Sequence, residues 1–332
     1  MTGDLDLGGH DRSSPVRVAV LAGGVGGAKL AGGLQAVLPR GTVSVIVNTG
    51  DDLVLHGLHV SPDLDTVMYT LAGMANPESG WGLRDETWSA AALLERYGEE
   101  TWFRLGDRDL AAHIVRTERL ARGTTLTEVT ADLAAAIGVP SRILPMTDAT
   151  VRTRLRTDAG WLDFQDYFVR RRHADDVREV AFAGIAEALP TAAVLGAIAG
   201  ASLIAIAPSN PFVSVGTILA VPGMLAALLA GPAPVVAVSP IVAGAALRGP
   251  ADRMFVTLGG EPSALGVARH YVDRYPGLLD GLVIDRRDAA QTPSIGALGI
   301  RVRATETVMV DEESRATVAR EVLAFGNRIA GS

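Results

Sequence analysis

Two patterns of apolar residues divide this chain. Short continuous runs alternate with longer stretches in which apolar positions recur every three or four residues. Residues 16–22 and 43–47 are runs of strand length, apolar apart from Arg17 and Ser44, the mark of parallel strands covered by helices on both faces. Between them Leu30, Leu34, Val37 and Leu38 keep one apolar face, which predicts a helix over about 28–38. Strand, glycine-rich turn, helix and strand in that order predict a right-handed parallel crossover. From about 63 to 138 the pattern is mostly helical, with Thr125 or Thr127 as the cap of the last helix. Residues 143–146 and 151–156 read as strands, and Asp158-Ala159-Gly160 as a hairpin turn before Trp161. Strand–helix alternation resumes at Val180 and ends in an amphipathic helix over about 313–329. The expected fold class is α/β, a Rossmann-like doubly wound, mostly parallel sheet with a mainly helical insertion. It forms one catalytic domain over 16–332, with a helical and hairpin insertion at about 74–178 and a disordered polar tail at 1–15.

Between Ala188 and Leu247 there is no charged residue, a length that on paper suits a membrane span. Seven prolines, from Pro190 to Pro240, cut the stretch into strand-length and helix-length pieces, so it reads as core. The net charge of −7 argues against a nucleic-acid surface, which needs a basic stripe. Cysteine is absent, which excludes thiolate catalysis and cysteine-ligated metals and fits a cytoplasmic protein.

Candidate chemistry follows the predicted strands, at whose carboxyl ends such sheets bind ligands. Four carboxylates, Asp51, Asp52, Asp63 and Asp65, fall within fifteen residues, and no Lys or Arg occurs between Arg40 and Arg84. Acids gathered without cations repel one another, and a hard divalent cation bound by oxygen ligands is the natural remedy. Asp51, Asp52 and Asp65 are the candidate metal ligands, with Mg2+ as the cofactor. Ser61 or Asp63 also suits a helix N-cap, which accounts for one acid at most. The glycine run ahead of Lys29 sets backbone N–H groups at a helix N-terminus, where phosphate is favoured. Lys29 fills the place of the third glycine of a dinucleotide fingerprint, and no glycine precedes it as a Walker A loop requires. His56 and His59 read as packing or hydrogen-bonding groups more than zinc ligands. Residues 84–88 and 104–109, dense in charge, read either as caps and ion pairs or as a lid over an anionic or planar ligand.

Together these segments resemble the 2-phospho-L-lactate transferase family of coenzyme F-420 biosynthesis. The resemblance rests on the glycine run with Lys29, Asn48-Thr49-Gly50-Asp51-Asp52, Ser61-Pro62-Asp63-Leu64-Asp65-Thr66 and Leu105-Gly106-Asp107-Arg108-Asp109. It also rests on Leu144-Pro145-Met146-Thr147-Asp148, Phe164-Gln165, Pro208-Ser209-Asn210-Pro211 and Ser239-Pro240-Ile241, all in family order. It implies a magnesium-dependent transfer of an enolpyruvyl or lactyl phosphate from a guanosine diphosphate-linked donor to the ribityl hydroxyl of the deazaflavin Fo. GMP leaves. The Arg- and Ala-rich composition favours the phosphoenolpyruvate donor of actinobacterial relatives. It further implies Asp65 and Asp63 as catalytic residues and Asp65 and Arg104 as deazaflavin contacts. Gly24, Gly26, Gly27, Lys29, Asn48, Ser209 and Asn210 would bind the nucleotide and its phosphates. A homodimer is expected, and Asp65→Ala is expected to stop turnover without disturbing the fold. A nucleotide-sugar-binding regulator of the same fold is the alternative, disfavoured because Leu53-Val54-Leu55 follows Asp52.

Overall fold

The structure, a computed structural model, describes residues 15–331; nearly all of the tail expected at 1–15 lies outside the described residues. The chain opens with β1 (Val18–Ala22), α1 (Gly24–Val37), β2 (Val43–Val47), a hairpin of β3 (Leu53–Leu55) and β4 (Leu58–Val60), and α2 (Pro62–Leu71). Helices α3 (Ser89–Arg96), α4 (Asp109–Ala121) and α5 (Leu126–Ala136) follow, then β5 (Arg142–Pro145), β6 (Arg152–Thr157), β7 (Gly160–Asp163) and β8 (Glu179–Ala183). The second half runs α6 (Ala192–Ala199), β9 (Leu203–Ile206), α7 (Val215–Ala220), α8 (Met224–Ala230) and β10 (Val235–Val238). It closes through the small hairpin β11 (Ile241–Val242) and β12 (Ala245–Ala246), α9 (Ala251–Thr257), α10 (Ala264–Arg274), β13 (Gly281–Asp285), α11 (Thr292–Gly296), β14 (Arg301–Thr305) and α12 (Glu312–Ala330).

Seven strands form one parallel sheet in the order β14-β13-β10-β9-β1-β2-β5. Alternate residues of β1 feed two cores. Val18 and Val20 pack with α1, α2 and α12 on one face, and Ala19 and Leu21 with the helices after β8 on the other. Both faces being covered, the central strands are buried end to end, which is why they read as apolar runs broken only by Ser44 of β2. Strand order reverses between β1 and β9, so the crevice of a doubly wound sheet opens where Gly23 and Ser209 leave the two strands. There the Ser209 hydroxyl accepts from the Gly23 N–H at 3.0 Å and donates to the Gly23 carbonyl at 2.8 Å, tying the two halves together.

Three expectations change. The glycine run is not a loop, because α1 begins at Gly24 and its first turn is Gly24–Gly27. The span 74–178 is not one insertion: β5, inside it, is the edge strand of the main sheet, beside β2. The strand at Val180 does not rejoin that sheet but pairs antiparallel with β6, making a separate three-stranded sheet β7-β6-β8. Apolar periodicity reports that a strand is half-buried, not which sheet buries it. Thr125 is confirmed as a cap, accepting from the Glu128 N–H while the Glu128 side chain reaches back. Among the described residues, no helix is long and apolar enough to cross a membrane.

Candidate active site

The end of β2, the start of α1 and the start of α2 meet through Asn48. Its side-chain amide donates to Asp51 Oδ2 at 2.9 Å and to Asp63 Oδ2 at 3.0 Å, and its carbonyl oxygen accepts from the Gly50 N–H at 2.9 Å. One neutral residue thus holds two carboxylates in a shared, buried space. Asp63 does not cap its own helix; its Oδ1 accepts from the N–H of Gly24 at 2.9 Å, at the head of α1. Gly24 takes φ +61° there, a conformation that glycine adopts without cost. The α1 dipole favours the Asp63 anion, and the phosphate position expected at that helix end is already partly taken by a carboxylate.

Asp52 is held separately, accepting from the Ser61 hydroxyl at 2.7 Å, with His59 Nε2 at 3.0 Å from the same oxygen. Ser61 sits at the N-cap of α2 but spends its hydroxyl on Asp52. His56 lies in the β3–β4 turn with φ +50°, away from that pair. Gln165 donates to the backbone carbonyl of Asp51 at 3.1 Å, which gives the Phe164-Gln165 block its place beside the acids.

Burial raises the Asp51 carboxyl well above the usual range, and Asp63 adds to the rise, while the Thr153 and Asn48 side chains pull the other way. Burial likewise lifts Asp63 to about 6, against the Asn48 amide and Gly24 N–H. Asp51 Oδ1 and Asp52 Oδ1 are buried and accept no hydrogen bond. Asp51 Oδ1 and Asp52 Oδ1 are hard donors of the kind a Mg2+ ion takes, which makes these two carboxylates its candidate holders.

Asp65 lies elsewhere. Two residues from Asp63 on a helix, it points to another side. Arg116 of α4 takes both of its oxygens, Nη1 bonding Oδ2 at 3.1 Å and Nη2 bonding Oδ1. Burial pushes the Arg116 guanidinium down, but Asp65 pulls it up further, so it stays charged. His113 bridges the pair to Asp109, with Nε2 at 3.2 Å, and Tyr69 donates to Asp109 at 2.6 Å. Thus Asp65, expected with Asp51 and Asp52 on the metal, has its charge met by Arg116; it groups instead with Asp109 and His113, whose ligand atoms lie within 4.8 Å of its own and could hold a metal ion. Arg116 is the residue that the absence of Lys and Arg near the acids concealed, being fifty-one positions further on.

Other expected site residues also find structural partners. Gly26 packs against the Pro208 carbonyl, and Gly27 against Ala22 and Ser209. Ser209 ties the sheet halves, and Asn210 accepts from the Phe212 N–H at 2.9 Å while its amide faces the sulfur of Met254. Lys29 donates to the Met309 carbonyl at 2.6 Å. Arg104 is exposed and stacks on Trp88 at 4.2 Å. The charged segments around it are caps: Glu86 accepts from the N–H groups of Arg108 and Asp109, and Asp107 from those of Ser89 and Ala90. These bonds, with the Thr87 hydroxyl first among them, hold the Asp107 carboxyl down at about 2.

A cavity of about 200 Å3 opens directly over the acids, lined by Asp51, Asp52, Trp102, Arg152, Phe164 and Gln165 among others. Phe164 stacks on Phe168 at 5.4 Å, and Trp102 carries the Arg170 guanidinium at 4.8 Å, which stiffens two aromatic walls. Trp102 and Arg152 carried no signal in the sequence.

The profile described as "2-phospho-L-lactate transferase CofD" matches residues 18–324. The chain is 46% identical to a phosphoenolpyruvate transferase of Kitasatospora aureofaciens over 95% of its own length and 99% of that relative's. It is 41% identical to one from Mycobacterium avium, with the same coverage of each chain. Among solved structures, a upf0052 family protein of Bacillus halodurans superposes with a TM-score of 0.66 at 14% identity, over 93% of this chain and 99% of that one. At that identity the likeness is one of fold. The match over nearly the whole chain, with the acid blocks of β2 and α2 inside it, makes this protein a member of the 2-phospho-L-lactate transferase family.

Proposed function

We propose that this chain is a transferase of coenzyme F-420 biosynthesis that moves a phosphoenolpyruvyl group from enolpyruvyl-diphosphoguanosine to the terminal ribityl hydroxyl of Fo. The hydroxyl oxygen bonds the distal phosphorus, the bond from that phosphorus to the bridging oxygen breaks, and GMP leaves with that oxygen. The product is dehydro-F-420-0. Relatives named phosphoenolpyruvate transferase, at 41–46% identity, support the enolpyruvyl group over lactyl. The observation that carries the reading is the apposition of two features. A cavity with aromatic walls suits a planar tricyclic acceptor, and its floor is the acid pair Asp51–Asp52.

Phosphoryl-type transfer asks a protein chiefly to position groups and stabilise charge. Asp52 with Asp51 would hold Mg2+, which when bound offsets negative charge on the phosphates; Asp63 stands beside Asp51 on the Asn48 amide. Asn48 and the Gly24 N–H fix the two carboxylates at the reacting end. Asp63, its carboxyl lifted to about 6, is the group suited to receive the hydroxyl proton. Trp102 and Phe164 would clasp the deazaflavin ring, with Arg152 facing its carbonyl edge. Asp65, gripped by Arg116, would position α2 and the acceptor's chain from one side.

The reading is tested by incubating the chain with Fo, Mg2+ and enolpyruvyl-diphosphoguanosine, then measuring GMP and the phosphodiester by mass spectrometry. Both are expected in equal amounts. Tight nucleotide binding with no product would instead assign the chain to a regulatory role, and a lactyl donor in parallel decides the transferred group.

A further inference from the structure

The Asp51 carboxylate is aimed by a part of the chain far from it in sequence. Peptide groups are planar, so a side chain's direction is set once the planes on either side of its Cα are fixed. Both planes that flank Asp51 are held from outside the loop 48–52. The carbonyl of Gly50, in the plane before Asp51, accepts from the backbone N–H of Thr153 at 2.7 Å. The carbonyl of Asp51, in the plane after it, accepts from the Gln165 side-chain amide at 3.1 Å. Thr153 lies on β6 and Gln165 just past the end of β7, so one small antiparallel sheet brings both donors.

The loop has no room to turn away from this grip. A Cβ on Gly50 would lie 2.5 Å from Thr217 Cγ2 of α7 and 2.7 Å from Thr153 Oγ1, so the backbone is wedged between α7 and β6. Thr153, Gln165 and Thr217 are all buried. Inside the loop, Asn48 accepts from the Gly50 N–H and donates to Oδ2 of Asp51. Asp51 Oδ1 is the oxygen left over, buried and without a hydrogen bond. Of the two outside donors, Thr153 acts through its backbone and Gln165 through its side chain, so only the second can be removed by substitution.

We propose that Gln165 is a positioning residue for metal binding, which fixes the peptide group after Asp51 and so keeps the carboxylate set for the cation. The assignment rests on the transferase reading, in which Asp51 and Asp52 hold Mg2+. Without the amide, the buried Asp51 carbonyl loses its partner, and the peptide plane rotates to find another. The carboxylate then turns with it. A ligand oriented in advance binds a metal more tightly, because less order is imposed at binding.

Calorimetric titration of the metal-free full chain with Mg2+ tests the role. Wild type is compared with Gln165→Met and Gln165→Leu, which keep a side chain of similar size without the donor. Each is first checked for wild-type thermal unfolding without metal. Mg2+ affinity is expected to fall about tenfold in both variants. The Asp52 amide, in the peptide group that Gln165 holds, is expected to exchange hydrogen faster by a similar factor. In turnover, kcat should fall at limiting Mg2+ and return to near wild type at saturating Mg2+, with the KM for Fo unchanged. Because Gln165 also lines the cavity, a direct contact with the acceptor would give a different result. A raised KM for Fo that Mg2+ does not restore, or wild-type Mg2+ affinity in both variants, overturns the positioning role. If the variants bind Mg2+ weakly yet the wild type forms no phosphodiester with Fo, the positioning role stands and the transferase reading falls. If the wild type turns over and neither Mg2+ affinity nor kcat moves in the variants, the transferase stands and the positioning role falls.

Discussion

Arg116 on α4 grips both carboxylate oxygens of Asp65 on α2 from a position where its own side chain is 1% exposed. Removing one member of a buried ion pair strands the other charge and costs about 3–5 kcal/mol. Asp65→Ala, expected from the sequence to spare the fold, is therefore expected to destabilise it by about that much, as is Arg116→Met. The double variant Asp65→Ala with Arg116→Met should lose less than the sum of the two single losses. Urea unfolding of the four proteins checks this, and additive losses in the double variant would rule the coupling out.

The acids Asp51 and Asp63 make metal-free stability depend on pH in a definite direction. A carboxyl lifted to about 6 in the folded chain, from 3.8 when unfolded, holds its proton longer when folded. Metal-free stability is then expected to fall as pH rises from about 4 to about 6, because the folded state binds more protons across that window. Asp63→Asn should flatten that fall and raise the metal-free melting temperature at pH 7. Mg2+ should stabilise the wild type at pH 7 and stabilise Asp51→Asn or Asp52→Asn far less. Differential scanning calorimetry at several pH values reads all of these, and an equal Mg2+ effect in every protein would remove the acids from the metal site.

Trp102 and Phe164 face the cavity above Asp51 but sit outside the acid cluster. Each aromatic contact to a planar ligand contributes about 1–3 kcal/mol, taking base–aromatic stacking as the guide. Trp102→Ala and Phe164→Ala should therefore raise the KM for Fo about tenfold or more, with the donor KM little changed. Arg104→Ala, whose side chain stacks on Trp88 outside that lining, should leave the Fo KM near wild type. Steady-state kinetics with each substrate varied in turn distinguishes the two outcomes.

At Gly26 a Cβ would run into the Pro208 carbonyl, backbone against backbone at the crevice. Gly26→Ala should cost about 1–3 kcal/mol by overpacking, visible in urea unfolding of the variant. Unchanged stability would mean that the β9 loop yields freely, and so that α1 does not depend on close contact there.

The residues within reach of sequence reasoning were those whose role follows from local geometry. Apolar runs, continuous but for Ser44 in β2, mark β1, β2, β9 and β10 because a doubly covered sheet leaves no polar face. The Thr125 cap is a contact between residues three apart, and the gathering of Asp51, Asp52 and Asp63 follows from one strand end and one short hairpin. Helical periodicity even carried a warning that Asp63 and Asp65, two apart, cannot face the same way.

Chain folding alone decided which acids share a site. Arg116 reaches Asp65 across fifty-one residues, Gln165 reaches Asp51 across more than a hundred, and Lys29 meets Met309 from the other end of the chain. Composition and spacing describe charge along a line. The acids near β2 lacked cations in sequence, yet Asp65 is neutralised in space while Asp51 and Asp63 are not. Electrostatic energy depends on distance and burial, and both are set by how α1, α2 and α4 pack against the sheet.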